Sequence, residues 1–130
     1  MLSSDKIQQL VQQALDVREK AYAPYSEFPV GAVLLGKSGQ IYTGCNVENI
    51  SYGLTICAER MAIFKAISEG EREFEAVAIV ADMEEPVPPC GACRQVLAEF
   101  SPNMTVIMAN LKDETKLMIL SDLFPEPFVS

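Results

Sequence analysis

Cys57-Ala58-Glu59-Arg60 opens, and Pro88-Pro89-Cys90-Gly91-Ala92-Cys93-Arg94-Gln95 closes, the stretch that decides how this chain folds. Thr55 is placed to cap a helix beginning near Cys57, with Met61, Ala62, Phe64 and Ile67 on its turns and Gly70 as its stop. Ala76-Val77-Ala78-Ile79-Val80-Ala81 is short and apolar throughout, which predicts a strand buried on both faces. Glu84-Glu85-Pro86-Val87-Pro88-Pro89 cannot continue a strand or a helix, and a second helix is expected from about Gly91 to Phe100. Helix, strand, loop and helix in that order point to an α/β fold.

The segments outside this stretch agree with that reading. From Ser4 to about Ala21, residues Ile7, Leu10, Val11, Ala14 and Leu15 recur at helical spacing, with Ser4 or Asp5 as the expected cap. Pro24 and Pro29 impose an extended loop over Tyr22–Pro29. Val30–Leu35 and Ile41–Val47 predict a hairpin turning at Lys37-Ser38-Gly39-Gln40. Thr105–Ala109 is a further buried strand and Lys116–Leu120 a weaker one, before a tail interrupted by Pro125 and Pro127. The expectation is one domain, an α/β sandwich on a mixed sheet.

Composition narrows the function. With 130 residues, 49% hydrophobic and 22% charged, the chain can bury roughly two-thirds of its unfolded surface, so it needs no disulfide framework. A net charge of −8 disfavours nucleic acid and anionic membranes as partners and leaves small uncharged molecules open. Neither a membrane-length apolar run nor a signal-like N-terminus is visible, and a cytoplasmic location is expected. In that compartment four cysteines point to metal or catalysis. Histidine is absent, so a metal site would be built from thiolates and carboxylates.

Cys90 and Cys93 have the spacing at which two sulfurs reach one ion, and with Cys57 they make three ligands. Cys57 and Cys90 both fall at expected helix starts, where free N–H groups and the helix dipole favour thiolates. Three ligands leave one tetrahedral position for water, which marks a catalytic zinc rather than a structural one. Glu59 can then stand beside the open position as a proton carrier. Three thiolates leave a zinc site with one net negative charge, and Arg60 is the nearest residue able to offset it.

These residues resemble the zinc signature of the cytidine deaminases. Asn46-Val47-Glu48-Asn49 is similar to that family's ribose-binding segment, and Pro24-Tyr25-Ser26 with Phe28-Pro29-Val30-Gly31-Ala32 to its N-terminal signature. The resemblance runs from about Ala21 to Phe124. It implies a three-layer α/β/α sandwich with a mixed five-stranded sheet, Zn2+ held by Cys57, Cys90 and Cys93, and Glu59 as proton shuttle. It further implies that Asn46 and Glu48 bind the sugar 3'-hydroxyl, that Phe28 packs on the pyrimidine and that the Ala58 N–H binds the base. Tyr52 and Phe124 would reach into a neighbouring subunit's site in a homotetramer. The implied reaction is hydrolytic deamination of cytidine or 2'-deoxycytidine in pyrimidine salvage.

Three rivals are separable. A dithiol redox protein would use Cys90 and Cys93 and leave Cys57 and Glu59 idle. A structural zinc site would enlist Cys45 as a fourth ligand. A deaminase of the antibiotic blasticidin S would share the three thiols, but Asn46 and Glu48 favour a ribose.

Overall fold

The computed structural model of the chain describes residues 2–129. Helix α1 spans Ser4–Arg18, and its cap is Ser3, whose hydroxyl accepts from the Lys6 N–H at 3.1 Å. Ser4 and Asp5, expected at that position, are already helical. The capping residue must have extended dihedrals, and Ser3 has them at φ −75° and ψ 160°. The helix closes before Ala21 because Lys20 and Ala21 bond back to Val17 and Arg18, one residue short of the α spacing.

The chain then forms β1 (Val30–Gly36), β2 (Ile41–Cys45), a short 3-10 turn at Tyr52–Leu54, α2 (Ala58–Ser68), β3 (Phe74–Ala81), α3 (Gly91–Phe100), β4 (Thr105–Ala109), β5 (Thr115–Ile119) and α4 (Leu120–Leu123). The four-residue α4 was not expected from sequence. The hairpin turn places Gly39 at φ 93°, where a side chain would be strained. Thr55 does not cap α2. Ile56 is drawn into a two-bond bridge with Val47, so the backbone stays extended until Cys57, which becomes the N-cap residue. Gly70, at φ 100°, ends the helix as expected.

The five strands lie in the order β2-β1-β3-β4-β5. β1 is antiparallel to both β2 and β3, β3 runs parallel to β4, and β4 is antiparallel to β5. The sheet is therefore mixed. Alternation along the strands divides the core in two. Val77, Ile79, Val106 and Met108 pack with Ile63 of α2 and Leu97 of α3, while Ala76, Ala78, Val80 and Ile107 pack with Leu10 and Ala14 of α1. Helices on both faces make the expected three-layer sandwich.

This topology places the site. β2 and β3 are both antiparallel to β1, so their C-terminal ends lie at the same margin of the sheet. α2 starts beyond the first and α3 beyond the second, at the strand ends where open α/β sheets bind ligands. Gly44 sets the depth of α2. A Cβ there would lie 2.5 Å from the Ala58 carbonyl oxygen and 2.6 Å from the Ala62 nitrogen, both rigid backbone.

Candidate active site

Cys57 and Cys90 are the N-cap residues of α2 and α3, and Cys93 lies in the first turn of α3. Neither helix has a side-chain cap, so its first N–H groups are free to face the sulfurs. The three Sγ atoms all lie within 4.8 Å of one another, and those of Cys90 and Cys93 are 3.5 Å apart. Three sulfurs on one tetrahedral zinc, each at ~2.3 Å, would be separated by ~3.8 Å. The cluster thus has the size of a zinc site, and its sulfurs are too far apart for a disulfide. Cys45 is half-buried and outside the cluster, so the four-cysteine structural site is not formed.

Arg60 lies in the first turn of α2 and donates from Nη2 to the Cys57 Sγ at 3.4 Å. It is thus a partner of the Cys57 sulfur and not a solvated surface charge. Cys57 has its pKa lowered to about 5, chiefly by the hydrogen bond from Cys93 and further by Arg60. The Cys93 thiol is pushed up by that same bond and by burial.

Glu59 is buried, 6% exposed, and lines a cavity of about 250 Å³. Burial is the main cause that raises its pKa to about 7. Phe28, Asn46, Glu48, Cys57, Ala58 and Cys90 line the same cavity. Four separate stretches of the sequence therefore meet in one pocket.

At its mouth Glu48 is held by Ser26. Its carboxylate accepts from the Tyr25 N–H at 2.9 Å, the Ser26 N–H at 3.1 Å and the Ser26 hydroxyl. These bonds, the hydroxyl's foremost, lower its pKa and keep it charged. Asn46 bridges backbone: Oδ1 accepts from Val30 N at 2.9 Å and Nδ2 donates to the Phe28 carbonyl at 2.9 Å. It thereby sets the position of Phe28. An amide retains one donor and one acceptor site beyond these.

Tyr52 and Phe124 stand apart. Tyr52 is 74% exposed, with its ring centre 5.9 Å from that of Tyr25, in a shallow recess beside Glu48. Phe124 is half-buried at the end of α4 and does not line the cavity. Sequence reasoning missed Ser26 as the clamp on Glu48, and Val87 and Pro88 as cavity wall. The signal for Ser26 was its place in a loop stiffened by Pro24 and Pro29. For Val87 and Pro88 it was their nearness to Cys90.

Comparison with known proteins agrees with this geometry. The family described as the cytidine and deoxycytidylate deaminase zinc-binding region matches residues 4–109. A cytidine deaminase of Sporosarcina psychrophila is 52% identical over 123 residues, covering 94% of this chain and 90% of that one. That of Halalkalibacterium halodurans is 53% identical over 124 residues, covering 95% and 94%. The crystal structure of a cytidine deaminase from Burkholderia pseudomallei superposes with a TM-score of 0.91 at 44% identity, over 98% of this chain and 100% of that one. With three converging thiols, a buried glutamate beside them and matches spanning nearly its whole length, this chain belongs to the zinc-dependent cytidine and deoxycytidylate deaminase family.

Proposed function

We propose that this protein hydrolyses cytidine and 2'-deoxycytidine to uridine and 2'-deoxyuridine, releasing ammonia, as a single-domain enzyme of pyrimidine salvage. The observation that carries the reading is the cavity that Glu59 shares with Cys57, Cys90 and the buried Asn46, with Glu48 at its mouth. Cys57, Cys90 and Cys93 would hold zinc, which supplies a Lewis acid that makes water nucleophilic at neutral pH. Glu59 takes the proton that water loses on adding to C4 and delivers it to N3. It then takes the proton of the new C4 hydroxyl and gives it to the amino group, so that C4=O forms as the C4–N bond breaks, and one water enters as one ammonia leaves. A carboxyl poised near neutrality suits both directions of transfer.

The remaining residues bind and orient. Phe28 offers an apolar face to the pyrimidine, and the Ala58 N–H, one of the donors that a helix start leaves free, is available to the base. Glu48, ionised and fixed by Ser26, accepts from the sugar 3'-hydroxyl, and Asn46 contributes its spare donor. Arg60 draws charge from the Cys57 sulfur, which offsets the excess negative charge of a three-thiolate site.

Association as a homotetramer with shared sites is part of this reading. Ile50, Tyr52 and Leu54 are 79%, 74% and 65% exposed beside the mouth of the cavity, an apolar patch that a neighbouring copy would cover. A cytoplasmic location is proposed as well. Among the described residues no helix is long and apolar enough to cross a membrane.

The test is to follow the ultraviolet absorbance of cytidine with purified protein before and after treatment with a zinc chelator. Turnover that disappears with the metal and returns with added Zn2+ is expected. A zinc-loaded protein that leaves cytidine and deoxycytidine unchanged would refute the reading.

A further inference from the structure

We propose that Asn110 is a positioning residue for this site: its buried amide anchors the proline-rich strap that walls the cavity and presents Cys90. The inference rests on the deaminase reading above. The strap runs from Asp82 to Pro89, between the end of β3 and the start of α3. Val87 and Pro88 form part of the cavity wall that faces Phe28 and Glu59, and the residue after the strap is Cys90 itself. A displacement of the strap therefore changes both the space for the base and the location of one sulfur.

Main-chain hydrogen bonds do not hold this segment. Pro86, Pro88 and Pro89 have no N–H, and among the described residues the main chain from Glu84 to Pro89 makes no hydrogen bond to another main-chain group. Two side chains supply the attachment. Arg94 Nε donates to the Pro89 carbonyl at 2.8 Å and its Nη1 to the Leu123 carbonyl at 2.7 Å, which fastens the end of the strap at α3 and α4 but does not reach its first half. Asn110 Nδ2 donates to the Glu84 carbonyl at 3.0 Å, and this bond ties the strap to the end of a central strand.

The environment of Asn110 suits an anchor. It is 5% exposed, directly after β4, and its side chain is fully engaged. Oδ1 accepts from the Lys112 and Glu114 N–H groups at 2.9 and 3.1 Å, which builds the β4–β5 turn. One Nδ2 hydrogen goes to the Glu114 carboxylate at 2.7 Å, and the other crosses to the strap. The turn accounts for the oxygen and for one hydrogen, while the second hydrogen serves only the strap. Lys112 also pairs with Glu84 at 2.8 Å, but both side chains are more than half exposed and such pairs contribute little.

The deciding variant is N110D/E114Q. The new amide at 114 can donate to the new carboxylate at 110, so the turn keeps its bonds while the donor to Glu84 is withdrawn. Asn110→Ser, which keeps an acceptor for the turn, gives the same comparison if the double variant fails to fold. Zinc-loaded proteins are mixed with excess chromogenic chelator, and cytidine kinetics are measured in parallel. Zinc release is expected to quicken about five- to tenfold, the scale of one lost buried hydrogen bond. KM is expected to rise several-fold with a smaller change in kcat. Glu114→Gln and Lys112→Ala alone stay at wild type. Unchanged release and KM in the strap variants, a loss confined to Tm, or equal acceleration in either single control would overturn the assignment. The release rate is read without turnover, so it tests the strap even if wild type proves inactive on cytidine.

Discussion

Glu59 takes its proton affinity from its surroundings more than from its type. A surface glutamate is ionised at neutral pH and a poor acid, but this one is buried beside a thiolate and has its pKa raised to about 7. Glu59→Gln is expected to keep the fold and the metal and to lower kcat by ~10²- to 10⁴-fold, the usual worth of a positioned proton carrier. Near-normal turnover in a steady-state assay would remove it from that role. Glu48 is the converse case, a carboxylate kept charged by Ser26 at the cavity mouth. Glu48→Ala should cost kcat/KM on cytidine by roughly 10- to 100-fold, as loss of a charge-assisted hydrogen bond does. Its effect on free cytosine should be slight, and equal losses on the two substrates would contradict sugar binding.

At the scale of elements, the site depends on how closely α2 lies on β2. The missing side chain at Gly44 permits the contact with Ala58 and Ala62, one of which stands between Cys57 and Glu59. Gly44→Ala is expected to destabilise the protein by ~1–3 kcal/mol through overpacking and to depress activity as well, because the helix that carries Cys57 and Glu59 must move. Denaturant unfolding with kinetics on the same samples checks both effects. The far end of α2 has its own fastening. The half-buried Glu71 accepts from the Tyr42 hydroxyl at 3.1 Å and from the Ser38 hydroxyl, joining the helix exit to the β1–β2 turn. These bonds, that of Ser38 foremost, hold the Glu71 pKa below its usual 4.5. Its contribution to stability is present above pH 4.5 and is lost as the pH falls through the lower folded value. Glu71→Gln should therefore be less stable than wild type near pH 7, and the gap should narrow in acid. A pH series of Tm values with a constant gap would contradict this.

For the whole molecule, zinc would join α2 to the strap and α3 across the margin of the sheet. A ligand bound only by the folded state stabilises it, so stripping the metal should lower Tm well beyond the effect of any single surface substitution. Differential scanning calorimetry of zinc-loaded and chelated protein tests this, and identical transitions would contradict three-point attachment. Much of this architecture was legible in advance. The all-apolar run Ala76–Ala81 and the helical spacing of Leu10 and Ala14 fix which elements exist, because burial imposes periodicity locally. The ends of elements were less legible. Thr55 failed as a cap because Ile56 pairs with Val47, a contact between residues nine apart that no local pattern records.

The same division separates the chemistry. Three cysteines, a nearby glutamate and the absence of histidine determine by composition and spacing alone that any metal here is a zinc-like ion on sulfur with a carboxylate at hand. Such preferences belong to the side chains themselves. Only the tertiary structure decided that Cys45 stays out, that Ser26 clamps Glu48 and that Asn110 holds the strap. Each of these is a distance between segments that become neighbours only when the sheet assembles, and hydrogen bonds act only over such distances.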